Sequence, residues 1–349
     1  MLSEDEIEVV RLSDLTDGQE AQCFAALVRK VRGTTYKNES FLKCYFRDKY
    51  VTLEAPVWGD SRFLKQAETW GEGLAYRLYV RASVKPRYGL QIEIINIRPA
   101  VEADVVDGYN FFELVESSDR DPEELLAKIR GFVDKCIDEA PLKRLVIALL
   151  DENADLFKKM PAAQNFHHSY TAGLIEHVWS MTRVAQFRAD HYAKYYHNLN
   201  PPLNKGVVVA ATVLHDIGKL RELDYHPVEA KYTTEGCLIG HVLMGRDMVR
   251  EAARKIEGFP EETLLQLEHA ILAHHGKKEF GAPILPQTIE ALLVSYIDVL
   301  DAKMNAAAQH RIRSKTDGAF TDKVYALDNQ RLYKGIPLEP LDHDDTDPA

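Results

Sequence analysis

The run VVVAATVLHDIGKL (Val207–Leu220) decides the reading of this chain. A largely apolar helical stretch leads into His215-Asp216 and is followed by Gly218-Lys219. An imidazole and a carboxylate side by side in an apolar helix are costly to bury unless a cation holds them, because a bound ion removes the desolvation penalty. Further donors lie on either side: His177 upstream, then His241, His274-His275 and Asp298 downstream. A helical bundle brings ligands in from several helices, so a site of this kind is scattered in sequence. Mixed imidazole and carboxylate donors favour Mn, Fe, Co, Zn or Ni over Ca. The set His177, His215, Asp216, His241, His274, His275 and Asp298 is large for one ion and fits two, with Asp216 as the bridge. One ion or two stays open, as does whether both His274 and His275 are ligands.

Lys219 lies four residues after His215, on the same helical face. There its ammonium meets a phosphate oxygen or a leaving group, and Gly218 lets a substrate or a neighbouring helix come close. Coordination brings the pKa of a bound water toward neutrality, and metal plus lysine offset the charge that gathers on phosphorus. The expected chemistry is phosphoester hydrolysis by a metal-activated hydroxide, with Asp216 and Lys219 at its centre. Asp301 reads as a structural or supporting acid and His269 as a core or supporting residue. There is no GxSxG elbow, no cysteine paired with a base and no P-loop, which disfavours serine or thiol catalysis and ATP-driven work.

The 349 residues suit two domains, with three left open, each large enough to bury a core. No apolar run reaches the roughly 18 residues a membrane span needs, and the first residues, MLSEDEIEVV, are acidic rather than signal-like. Cys23, Cys44, Cys136 and Cys237 form no CxxC pair, so a reducing, cytoplasmic setting is expected. The net charge of -11 argues against indiscriminate polyanion binding, yet residues 20–105 carry 14 Lys/Arg against 10 Asp/Glu. The tail YKGIPLEPLDHDDTDPA is acidic and punctuated by proline, as poorly ordered termini are.

Residues 17–105 alternate as strands do: 22–31, 41–47, 50–58, 75–84 and 90–98, with a short helix over 61–70 between the third and fourth. Five strands with a helix in that place are the layout of an OB-fold barrel, a frequent single-strand nucleic-acid module. Period-two geometry puts Phe41, Lys43, Tyr45 and Arg47 on one face of the second strand, and Arg77, Tyr79 and Arg81 on one face of the fourth. These offer rings for bases and cations for phosphates; the same face also fits a solvated barrel exterior. Asp121-Pro122 opens a helical connector, and from about residue 165 to 333 nearly every segment reads as helix.

The order His177, His215-Asp216, Asp298 resembles the H…HD…D pattern of the HD-domain phosphohydrolase superfamily. NFHHSYTAGLIEHVWSM (165–181), VLHDIGKLREL (213–223), TTEGCLIGHVLMG (233–245), LEHAILAHHGKKEFGAP (267–283) and YIDVLDAKMN (296–305) resemble more closely the YhaM-type 3′-5′ exoribonuclease family. The related cyclic-dinucleotide phosphodiesterases carry GYP after their paired histidines, where this chain has KKEFGAP. The resemblance implies an N-terminal five-stranded OB-fold β-barrel followed by an all-α HD-domain bundle. The divisions expected are an extension (1–16), the OB domain (17–105), a connector (106–160), the HD domain (161–332) and the acidic tail (333–349). It further implies a divalent transition metal, manganese or cobalt first, and release of nucleoside 5′-monophosphates from the 3′ end of single-stranded RNA, with DNA left open. It draws His167-His168 toward the site, His168 as a contact to substrate or metal. Self-association stays open. The alternative expectation is a phosphohydrolase of mononucleotides or signalling nucleotides with a regulatory barrel.

Overall fold

The computed structural model describes residues 8–34, 40–86, 89–162, 168, 170–225, 230–314, 316 and 318–336. His167, residues 1–7 of the N-terminal extension and residues 337–349 of the acidic tail lie outside the described residues.

Alternation in the first hundred residues produces five strands: β1 (Glu20–Thr34), β2 (Ser40–Arg47), β3 (Thr52–Val57), β4 (Ala75–Lys85) and β5 (Gly89–Pro99). They close in the order β1-β2-β3-β5-β4. β1 makes this possible by pairing twice, through Glu20–Ala26 with β4 and through its second half with β2, with a register shift between Leu27 and Arg29. β3 meets β5 in parallel at Glu54 and Gln91. Leu27, Phe46, Leu78 and Ile92 point inward and are fully buried. The helix α1 (Leu64–Ala67) is a single turn rather than the longer element expected over 61–70. Trp70 after it packs on Phe46 and Tyr76, so this segment plugs one end of the barrel. The barrel is an OB-fold.

Strand β3 begins two residues later than expected because Asp48 builds a turn. Its Oδ1 accepts from the backbone N–H of Tyr50 (2.9 Å) and Val51 (2.8 Å), an arrangement that competes with strand pairing. Residues 101–115, ahead of the helix that Asp121-Pro122 opens, form a strap on the barrel. Asp104 takes Arg98 and Arg77, and Leu114 and Val115 are buried against Phe24 and Ala26.

Asp121 caps α2 (Pro122–Cys136) by accepting from Glu123 N–H, with proline in the first turn where its missing donor costs nothing. There follow α3 (Ala140–Glu152), α4 (Ala154–Phe157), α5 (Gly173–Tyr195), α6 (Lys205–Leu214) and α7 (Lys219–Glu222). A two-residue pair, β6 (Leu223–Asp224) with β7 (Lys231–Tyr232), precedes α8 (Thr234–Ile239), α9 (His241–Arg254), α10 (Glu261–Ala273) and α11 (Ile289–Arg313). Val207–Leu214 of α6 are buried on every side, which is why that helix carries no polar stripe. α5, α10 and α11 pack around it and, together with α9, carry the remaining donors.

Two expectations are corrected here. Val207–Leu220 is not one helix: α6 stops at Leu214, and the chain tightens into i→i+3 bonds, Leu214 C=O to Ile217 N–H (3.1 Å) and Asp216 C=O to Lys219 N–H (3.0 Å), before α7. Beyond α11 the chain makes a hairpin, β8 (Phe320–Val324) with β9 (Gln330–Tyr333), where helix was expected. Asp328 and Asn329 both take positive φ in its turn, and Phe320 packs on Tyr333 across it.

Candidate metal centre

Helix ends deliver the donors. His215 and His274 sit at the C-terminal ends of α6 and α10, and His241 is the first residue of α9. His177 projects from within α5, and Asp298 and Asp301 from within α11. Close approach is secured at two glycines: a Cβ on Gly218 would lie 2.0 Å from the His241 carbonyl oxygen, and one on Gly173 2.0 Å from that of His168. Gly218 therefore serves the neighbouring helix, one of the two roles its place suggested.

Asp216 is the centre of the cluster. Its Oδ2 lies 3.2 Å from His215 Nε2, 4.0 Å from His177 Nε2 and 2.6 Å from Lys219 Nζ. Its Oδ1 lies 3.4 Å from His241 Nε2 and 3.7 Å from His274 Nε2. Asp298 Oδ1 is 3.3 Å from His177 Nε2. The donors thus gather at two foci, His177, His215 and Asp298 on one side and His241, His274 and His275 on the other, with Asp216 between them.

These residues fit a metal on a specific observation. Nε2 of His215, His241 and His274, Nδ1 of His275 and Oδ1 of Asp216 are all buried without a hydrogen-bond partner. Buried polar atoms are ordinarily paired, and leaving one bare costs about 1–3 kcal/mol. These imidazole nitrogens, gathered about the Asp216 carboxylate, form a donor set that could hold a metal ion. His177, His215, Asp216 and Asp298 would hold one ion and Asp216, His241, His274 and His275 a second.

The opposite ring nitrogens are fixed. His177 Nδ1 donates to Asp301 (2.7 Å) and His241 Nδ1 to Glu222 (2.9 Å). His215 and His274 use the carbonyls of Thr212 (2.8 Å) and Ile271 (2.7 Å). Each bond selects the tautomer that turns Nε2 inward. Asp301 also takes Ser180 Oγ and His168 Nε2 (3.2 Å), while His168 Nδ1 meets Tyr170 OH (2.9 Å), which donates to Glu176 (3.1 Å). Both nitrogens of His168 are engaged in this chain, and with His177 and Asp301 it forms a third group of converging donors.

Electrostatics follow the geometry. Burial alone would drive Asp216 and Asp298 upward, but Lys219, His215 and His241 hold Asp216, and His177, His215 and His274 hold Asp298, well below the usual carboxylate range. Burial likewise opposes the charge on His177, yet Asp298 and Asp301 outweigh it and push its pKa up to about 9. His274 and His275 are pushed down by burial and by their imidazole neighbours. Lys219 points at Asp216 rather than into open space.

The barrel face is arranged differently. Lys43 (3.7 Å) and Tyr45 OH (2.9 Å) both meet Glu54, and Arg47 reaches Glu116 (3.2 Å). Phe41 is covered by Trp58, stacked at 4.8 Å, which removes it as a free base platform. Arg77 lies under the strap with Asp104 and Asp107, and Arg81 pairs with Glu20 and Glu93. Between barrel and bundle opens a cleft of about 820 Å³ lined by Arg47, Tyr50, Arg120, Tyr170 and Glu176 among others. Tyr170 connects its floor to His168. Glu222, Asp301 as a histidine partner and this cleft were beyond the sequence reading.

An OB barrel joined to a bundle that collects His, His-Asp and Asp around one carboxylate is the architecture of an HD-type hydrolase, and the HD domain family model matches residues 174–303. A helicase family model, TraI_2, matches residues 120–205, a stretch without a P-loop. The 3′-5′ exoribonuclease YhaM of Listeria monocytogenes serotype 4b is 32% identical over 327 residues, 93% of this chain and 98% of the relative. That of Listeria welshimeri serovar 6b is 32% identical over 324 residues, 93% and 97% of the two chains. The chain belongs to the YhaM 3′-5′ exoribonuclease family. Among solved structures, a domain of replication protein A from Methanococcus maripaludis is 16% identical over 26% of this chain and 93% of its own, with a TM-score of 0.21.

Proposed function

We propose that this chain is a metal-dependent 3′-5′ exoribonuclease that shortens single-stranded RNA to nucleoside 5′-monophosphates. The observation that carries the reading is the convergence of unpartnered Nε2 atoms on Asp216 in a chain of this family. Manganese is the ion we assign first, since four or five imidazoles with two carboxylates suit a borderline transition metal and not calcium. When bound, such an ion supplies Lewis-acid polarisation of the phosphoryl oxygen and a water acidic enough to attack near neutral pH.

The chain's own residues do the rest. Asp216 is kept anionic by Lys219 and the imidazoles and so holds both foci together. Lys219, mostly buried, adds fixed positive charge where a phosphodiester gathers negative charge as its P–O bond breaks. His168, Tyr170 and Glu176 form a hydrogen-bonded path between the site and the cleft, along which a proton can be held or passed. We assign residues 161–332 to hydrolysis and 17–105 to holding the strand, and a reducing cytoplasm to a chain whose four cysteines are free. No helix among the described residues is long and apolar enough to cross a membrane.

The test is protein stripped of metal and resupplied with manganese, acting on 5′-labelled single-stranded RNA and DNA, with Asp216→Ala beside it. A ladder shortening from the 3′ end, absent in the variant, is expected. An intact strand under every divalent metal, with turnover of mononucleotides, would sink the proposal.

A further inference from the structure

Lys43, Arg47, Arg77 and Arg81 of the barrel are paired with carboxylates, but a different arrangement stands at the cleft. Three cations converge on one indole: Arg120 Cζ lies 4.6 Å from the Trp179 ring centroid, Arg183 Cζ 5.0 Å and Lys128 Nζ 5.5 Å. Trp179 is 5% exposed and so presents a fixed face. Lys128 is tied to Glu124 at 2.9 Å. Arg120 and Arg183 are exposed, and among the described residues neither has a carboxylate within ion-pair distance. Cation–π attraction of about 0.5–1 kcal/mol each at exposed sites holds them against mutual repulsion. An anion would complete the arrangement.

The cluster is continuous with the site. Arg120 lines the cleft whose floor is Tyr170 and Glu176. Arg183 stands seven residues beyond Glu176 on α5, two turns and roughly 10 Å further along the same face. A strip therefore runs from His168 through Tyr170 and Arg120 to Arg183.

We propose that this strip is the track for the phosphodiester backbone of the single-stranded substrate, upstream of the bond that is cut, with Arg120 and Arg183 as positioning residues. The proposal rests on the exoribonuclease reading and deepens it. It also moves the main electrostatic contact from the barrel strands to the seam between barrel and bundle. Guanidinium groups suit that role, because their planar donors match phosphate oxygens in pairs.

The test uses the full chain and a labelled 20-nucleotide single-stranded RNA in EDTA, so that nothing is cut, across a range of KCl. Losing two phosphate contacts in Arg120→Ala/Arg183→Ala should flatten the plot of log Kd against log salt by about 1.4, at about 0.7 per contact on single strands. Arg120→Lys/Arg183→Lys should keep the slope, which a purely structural role would not require. With manganese, the ratio of kcat/KM for the 20-mer to that for a dinucleotide should fall in the alanine variant. If that variant does not fold, Arg183→Gln alone should flatten the slope by about 0.7. An unchanged slope and Kd in a variant that melts like wild type overturns the track while leaving the exonuclease standing. Wild type that binds with the steep slope yet cuts nothing overturns the exonuclease and leaves the track.

Discussion

His177, His215, His241 and His274 each have one nitrogen tied down so that the other faces Asp216, and the partner differs at each position. Two use backbone carbonyls that a mutation cannot remove, and two use the carboxylates Asp301 and Glu222. The carboxylate pair is therefore the accessible lever. Asp301→Ala and Glu222→Ala should each weaken manganese binding about 10- to 100-fold without unfolding the bundle. Calorimetric titration of stripped protein checks this; an unchanged Kd would mean that ring orientation does not limit binding. A second prediction concerns pH. His177 is raised above its unfolded value of about 6.5, so the stabilisation it gives the ion-free protein is complete below pH 6.5 and is lost as pH climbs through about 9. His274 and His275, shifted down, act below 6.5, and the depressed carboxylates act lower still. Between pH 6.5 and 9 the melting temperature of protein in EDTA should fall. His177→Gln should flatten that slope, and saturating manganese, which requires a neutral ring, should abolish it.

At the scale of elements, the decisive feature is where helices stop. α6 and α10 end so that His215 and His274 occupy their last turns, and α9 begins at His241 against the Gly218 backbone. Gly218→Ala forces these segments apart, an overpacking cost of about 1–3 kcal/mol or more. The melting temperature should drop and manganese affinity with it. Gly131, exposed within α2 with nothing near its Cβ position, is the control: Gly131→Ala should stabilise by about 0.5–1 kcal/mol. Thermal melts of both variants read opposite signs, and a stabilised Gly218→Ala would refute the close approach. The residue types His215-Asp216, His177 and Asp298 were legible because buried donors have few other uses. The break at Leu214 was not, since i→i+3 tightening leaves no mark in apolar periodicity. Glu222 could not be matched to His241 from sequence, because the close packing of α8, at Gly236, on the Glu222 backbone is tertiary. Asp328-Asn329 did carry a turn signal, overridden by the helical rhythm before it.

At the scale of the molecule, a chain of net charge -11 handles a polyanion, so attraction must be local. The five strands followed from alternation and the OB layout from the helical segment between the third and fourth, while the seam did not, because Glu116 and Asp119 acquire meaning only once Arg47 and Lys49 face them (3.2 and 2.6 Å). These pairs tie the segment that follows the strap to the barrel and also set the charge of the cleft wall. Arg47→Ala removes one cation and leaves the Glu116 carboxylate facing the strand, so its cost should exceed the loss of one contact. Arg47→Ala/Glu116→Gln should recover part of the affinity for a 20-nucleotide RNA. Groups in one ion-pair network commonly couple by about 0.5–3 kcal/mol, which sets a recovery of roughly twofold or more. Anisotropy titrations in EDTA at fixed low salt decide it. A double variant as weak as Arg47→Ala would mean that Arg47 grips the strand directly and that Glu116 does not bear on the cleft's charge.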